Sequence, residues 1–220
     1  MVVKPSVIDV ATSHVAFNLN GPISMRYLYL SLLLIPLGFT APSGTPYCIL
    51  ANPSFEDPNP REARFPEGWS SQTPNNTPDL LPGAWGLQAA PFHGNTCLGL
   101  VTRDDGGVEN VGQRLSNPLR PLECYTLSLH LCKAAQYVGY HQPCRLRIWG
   151  GSQPGSKQVL LATSTLVSHT DWRKYEFTFT PKVPVESLTF EAYYAPGASF
   201  KYKGNILLDH CSALEKCVKA

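Results

Sequence analysis

Charge is scarce in this chain. Asp, Glu, Lys and Arg make up only 15% of its 220 residues, and 18 basic side chains nearly cancel 16 acidic ones. No run of Lys or Arg occurs, so neither a nucleic-acid backbone nor an anionic membrane surface has an electrostatic footprint here. Beyond residue 41 no segment carries the apolar period of a long amphipathic helix. Catalytic signatures are missing too. The chain has no GxSxG, HExxH, GxGxxG or P-loop, and its histidines have no nucleophile or metal-ligand partner at a recognised spacing. There is no CxxC pair, which argues against a thiolate zinc centre. Asp104 and Asp105 in RDDGG precede two glycines and read first as a turn. Only a facing geometry across a cleft would make them an acid and base pair for a glycosidic bond.

Punctuation, by contrast, is plentiful: 20 prolines and 17 glycines interrupt the chain at short intervals. From Ile49 onward they bound nine strand-like segments, near 49–56, 95–102, 109–115, 123–133, 144–150, 158–167, 171–180, 186–195 and 204–214. Several alternate. Tyr125, Leu127, Leu129 and Leu131 point one way while Thr126, Ser128, His130 and Cys132 point the other. The same parity buries Tyr175, Phe177 and Phe179, and then Leu188, Phe190, Ala192 and Tyr194. Half-buried strands at this spacing predict an all-β fold, a two-sheet antiparallel sandwich or jelly roll. The long stretch between the first two segments carries Phe65, Trp69, Trp85 and Phe92 among its prolines. It reads as an ordered loop packed on the sandwich, within a single domain over 42–220.

Residues 26–41, RYLYLSLLLIPLGFTA, place a basic residue before an apolar run and small residues, the layout of a signal peptide starting at Met25. Residues 1–24 then read as an over-extended start. Cleavage near Ala41 removes Lys4, Arg26 and Asp9 and leaves 16 basic against 15 acidic residues, in a secreted or surface protein with no membrane span in its mature form. All seven cysteines lie beyond this leader, so disulfides are expected. Cys132 and Cys144 flank a loop whose base they could staple. Cys48 near one end and Cys211 or Cys217 near the other could join the termini. The odd count leaves a thiol over, and Cys97 in TCLGL suits a simple core residue.

The segments NPSFE (52–56), PEGW (66–69), TPD (77–79), HGNTCLGL (93–100), VGQRLSNPLRPLECYTLSLHL (111–131), DWRKYEFTFTP (171–181) and GNILLDH (204–210) stand in a telling order. Together they resemble the galactose-binding-like β-jelly-rolls, a fold of carbohydrate-binding modules, and especially exported versions in Bacteroidetes-type surface proteins. The resemblance implies a structural calcium between the first and last strands. Its side-chain ligands here would be Glu56 and Asp209, with main-chain oxygens near Ser54 and Asn95. The alternative is that the two acids only accept hydrogen bonds from loop amides.

A sugar site needs an aromatic platform for the ring face and planar polar groups for the hydroxyls. CRLRIW offers Arg145, Arg147 and Trp149, and parity adds His130, Glu191 and Tyr193 from other strands. The loops contribute Trp85, Tyr137, Tyr140 and His141. Trp69 and Trp172 read instead as core, and Arg147 with Glu191 could equally be a cross-strand ion pair. The expectation is a non-catalytic, lectin-like domain whose partner is an extracellular or cell-surface glycan. Its rival is a structural or adhesive domain that binds other surface proteins. A glycan-active enzyme ranks third.

Overall fold

Where a strand has the core on one side and water on the other, its residues alternate, and β4 (Tyr125–Cys132), β6 (Arg145–Gly151) and β8 (Arg173–Phe179) do so. Leu127, Leu129 and Leu131 are buried, as are Leu146 and Ile148, and Phe177 and Phe179. A second kind of strand is buried on both faces and does not alternate. β2 (Cys97–Thr102) and β10 (Gly204–Asp209) are of this kind, because loops cover the outer side of their sheet. The computed structural model describes residues 46–218. The expected leader at 25–41 and the start at 1–24 lie outside these residues.

The remaining strands are β1 (Asp79–Leu81), β3 (Asn110–Leu119), β5 (Gln142–Pro143), β7 (Val159–Thr163), β9 (Val185–Tyr193) and β11 (Glu215–Lys216). One sheet runs β1, β2, β10, β4, with β8 beyond β4 and the short β5 and β11 completing it. The other runs β3, β9, β6, β7, antiparallel throughout. Between the sheets lies the core, in which Trp69 packs 5.1 Å from Phe55 and 5.4 Å from Phe190, ring centre to ring centre. Among the described residues, no helix is long and apolar enough to cross a membrane.

The two-sheet sandwich agrees with the sequence reading, and Trp69 lies in the core as expected. Segment 49–56 does not form a strand. Only Cys48 bridges to Leu214, and the chain then turns with positive φ at Asn52 (45°) and Phe55 (55°). Asn52 causes the turn: its Oδ1 accepts the Glu56 N–H at 2.7 Å and its Nδ2 donates to the Glu56 carbonyl at 3.0 Å. One side chain thus satisfies backbone groups that a strand partner would have taken.

The cysteine arrangement also differs. Cys124 and Cys217 form the disulfide, while Cys48, Cys97, Cys132, Cys144 and Cys211 are free and buried. Cys132 and Cys144 are parted by their environments: Cys132 lies in the small apolar cluster outside the first sheet, Cys144 in the main core. Cys97 is buried in that outer cluster, a packing residue as the sequence suggested.

Candidate functional site

The outer face of the second sheet collects the CRLRIW side chains. β6 pairs with β9 so that Arg145 faces Tyr193, Arg147 faces Glu191 and Trp149 faces Thr189. With Leu146 and Ile148 turned into the core, Arg145, Arg147 and Trp149 stand outward and half-buried. The Arg147 guanidinium lies 3.1 Å from the Tyr193 ring centre and 5.8 Å from that of Trp149, so it sits as a cation between two aromatic faces. Its Nε is buried and has no hydrogen-bond partner.

Glu191 organises this face from below. The expected alternative of an Arg147–Glu191 ion pair does not occur among the described residues. The carboxylate instead takes the Lys157 ammonium on Oε1 and the Trp149 indole N–H on Oε2 at 2.7 Å. It is only 2% exposed, so parity placed it on the correct face but not in solvent. Lys157 arrives on the loop 152–158, which lies close over β3 and β9, where the Gly155 N–H donates to Thr189 Oγ1 at 3.0 Å. Gly112 permits that approach, because a Cβ there would stand 2.5 Å from the Gly155 nitrogen. At the far end of the ladder Arg145 and Tyr193 border a cavity of about 210 Å³ that is also lined by Lys201 and Phe200, the latter 77% exposed. Two flat rings, an interleaved cation and charged donors beside one carboxylate suit a flat, hydroxylated ligand.

Trp85 and Tyr140 do not join this ladder. They lie on the outer face of the first sheet, beside a cavity of about 340 Å³ shared with Asp79, Glu109 and Tyr137. Asn205 positions one wall, with its side chain bonded to Ala134 N at 2.8 Å and to the Tyr140 carbonyl at 2.7 Å. Glu109 is buried and accepts from the Arg103 guanidinium, from Thr77 Oγ1 at 2.9 Å and from Val101 N at 3.1 Å. Burial is the largest influence on it and pushes its carboxyl from 4.5 up to about 7, against the pull of Arg103.

That shift fixes a sign. The folded state keeps a proton that the unfolded chain releases, so this group's stabilising contribution is full below pH 4.5 and is lost as pH rises through about 7. Glu109→Gln has no such titration. Urea unfolding across this window is expected to show the variant gaining on the wild type as pH rises; parallel pH profiles for the two would contradict it.

His130 belongs to a third place. It stacks on Phe92 with ring centres 3.6 Å apart, and His210 and His93 extend the stack. Burial lowers the pKa of both His130 and His210. Beneath the stack, Asp209 Oδ2 accepts the Phe92 and His93 N–H groups at 2.8 and 2.9 Å, and Oδ1 accepts that of His210 at 2.6 Å. Glu56 accepts the Asn95 N–H on both oxygens, at 3.2 and 3.0 Å, while the Ser54 hydroxyl meets His93 Nδ1 at 3.0 Å. Both acids therefore clamp the 92–95 bend. Amide N–H groups are thus directed at both acids, which is the hydrogen-bonding arrangement that the sequence offered beside a calcium site. No group of three or more His, Cys, Asp or Glu suited to a metal occurs among the described residues.

Asp104 and Asp105 form a turn, with Asp105 Oδ1 accepting the Gly107 N–H at 2.7 Å. Sequence reasoning overlooked Lys157, Phe200, Asp79 and Glu109. No local pattern marks them, since each reaches its place through a loop or a long-range strand pairing.

No protein-family model matches the chain, and no curated protein sequence matches it. Among solved structures the chain is similar to the arabinose-bound α-L-arabinofuranosidase MgGH51, with a TM-score of 0.51, 15% identity and 79% of this chain covered. The chain spans 27% of that enzyme's length. It is also similar to the CBM22-1 xylan-binding domain of Xyn10C from Paenibacillus barcinonensis, with a TM-score of 0.49, 14% identity and coverage of 81% and 99% of the two chains. A third neighbour is the K1 cleaved adhesin domain of Lys-gingipain from Porphyromonas gingivalis W83, with a TM-score of 0.46, 15% identity and coverage of 80% and 100%. At such identities the likeness to the arabinofuranosidase establishes the fold alone: this chain is a two-sheet antiparallel β-sandwich.

Proposed function

We propose that the chain is an exported, non-catalytic carbohydrate-binding domain, lectin-like, whose glycan lies across Arg145, Arg147, Trp149 and Tyr193. The observation that carries this reading is the half-buried Arg147 guanidinium, held between the Tyr193 and Trp149 rings on the outer face of the sheet. The terminal N–H groups of Arg147 donate to sugar hydroxyls, and the exposed parts of the Tyr193 and Trp149 faces receive the apolar face of a pyranose ring. The cavity beside Arg145 and Tyr193 takes the next sugar residue. Because Glu191, itself paired with Lys157, fixes the Trp149 ring before binding, less ordering cost falls on the complex.

A glycan array with the secreted protein, repeated with chelator, tests the proposal. Arg147→Ala and Tyr193→Ala are each expected to weaken the best ligand about tenfold or more, while Trp85→Ala leaves it unchanged. If the folded protein binds no glycan with or without chelator, the reading fails. Structural calcium at Glu56 and Asp209, with main-chain oxygens near Ser54 and Asn95, is a separate proposal; glycan binding at the ladder is expected to survive the chelator. The rival protein-interaction reading draws on Phe200 and Leu160, 77% and 44% exposed near the same face, and predicts no glycan affinity.

A further inference from the structure

The cleft on the opposite face has a construction of its own. Trp85 is 56% exposed, yet its indole N–H is tied at 3.0 Å to Oδ2 of Asp79, a residue only 5% exposed. The same oxygen accepts the Tyr137 hydroxyl. The backbone at Trp85 is left-handed, with φ 54°, a conformation that a bulky residue rarely adopts. An exposed ring is thus displayed on an unfavourable backbone and locked by a buried acid. Tyr140 meets Tyr137 edge-on with centroids 6.0 Å apart and completes three aromatic walls.

Charge in the cleft is unbalanced. Glu62, Asp79, Glu109 and Arg103 line the cavity; Arg103 is paired with Glu109, which leaves Asp79 and the exposed Glu62 uncompensated. Asp79 also acts through the rings. A carboxylate that accepts an N–H or O–H pushes electron density into the aromatic system behind it, and that strengthens the attraction of the ring face for a cation. A second cavity of about 350 Å³ adjoins the first and shares Trp85 and Val138 with it, so Trp85 is the wall between two compartments.

We propose that this cleft is a second binding site, for an organic ammonium cation held against Trp85 and Tyr140, with the buried Tyr137 backing them. The ammonium group occupies the cavity over Asp79, and whatever carries it extends past Trp85 into the adjoining compartment. The site is independent of the glycan ladder, because the two lie on opposite faces of the sandwich. Burial raises the Asp79 carboxyl from its ordinary value against the hydrogen bonds from Tyr137, Ala63 and Trp85, and a cation bound beside it favours the ionised form.

Titration of the intact protein with choline, glucosamine hydrochloride and N-acetylglucosamine, followed by indole fluorescence and calorimetry, tests this. Saturable binding of choline, glucosamine or both is expected, and which of the two binds identifies a quaternary head group or an amino sugar as the source. Neutral N-acetylglucosamine is expected to bind this site at least about tenfold more weakly than the better cation. Trp85→Ala is expected to lose about tenfold or more. Trp85→Phe, which keeps a ring without the Asp79 hydrogen bond, falls between the two. Trp149→Ala leaves cation binding intact, which separates this site from the ladder. Equal affinity for the neutral sugar, undiminished cation binding in Trp85→Ala, or no saturation by either cation overturns the proposal.

Discussion

Glu191→Ala is expected to lower stability by about 2–4 kcal/mol and to abolish glycan binding at the ladder. The carboxylate holds Lys157 and Trp149 at once, and its side chain is 3% exposed against 28% for that of Lys157. Removing one partner of a buried pair leaves the other charge uncompensated, at about 3–5 kcal/mol when both are fully buried. Partial exposure of Lys157 brings that down through solvent screening. The functional loss is larger than that of a direct contact, because the Trp149 ring loses the hydrogen bond that fixes it and the loop 152–158 loses its ionic anchor. Glu191→Gln can still accept the indole N–H, so it is expected to recover part of the affinity but little of the ion-pair stability. Chemical unfolding and a glycan titration on both variants check this. Wild-type affinity in Glu191→Ala would show that the ladder is not the binding surface.

Cys217→Ser is expected to cost about 2–4 kcal/mol, what a single bridge typically contributes. The Cys124–Cys217 bridge spans 93 residues of sequence, and chain-entropy arguments place a loop of that length at about 4–5 kcal/mol before native-state effects. It also secures β11, which adds Glu215 and Lys216 to β4 and donates the Lys216 ammonium to Glu123 at 2.8 Å. Without the bridge that edge frays and exposes Tyr47 and Leu214, whose backbones bond to each other at 2.8 Å. Unfolding curves of the variant test the energetics. Thiol titration of the denatured, unreduced chain tests the pairing: the structure predicts five free thiols, and any smaller number means that further bridges form.

The sandwich was legible wherever the chain alternates, because a period of two leaves a strand with one core face no other register. β4, β6, β8 and β9 could be located from single side chains for this reason. The segment 49–56 misled because Ile49, Leu50 and Phe55 look like strand residues. What decides its course is Asn52, whose side chain closes a turn over Glu56. β1 and β11 escaped notice because two or three residues carry no period, and they exist only through their partners.

The candidate site divides along the same line. Arg145, Arg147, Trp149 and Tyr193 share one face because parity on paired strands dictates it. Trp85, Tyr140 and His130 lie on the other sheet, since the loops that carry them, or the strand in the case of His130, belong to β1, β2, β4 and β10. Nothing local to a loop says over which sheet it folds. Cysteine pairing is hidden for a related reason: seven thiols permit many closures, and Cys124 meets Cys217 only because β11 pairs with the start of β4, while Cys132 and Cys144 are buried in separate clusters.

The ladder itself can be watched through one proton. Trp149 carries an indole N–H bonded to Glu191 at 2.7 Å, and a nitrogen–proton correlation spectrum, assigned with Trp149→Phe and Trp85→Phe, follows it beside that of Trp85. On titration with the best glycan, the Trp149 indole and Arg147 Nε signals are expected to shift together and saturate, with Trp85 unmoved. Saturable shifts confined to Trp85, or glycan binding that leaves Trp149 and Arg147 unperturbed, would contradict the assignment of this face.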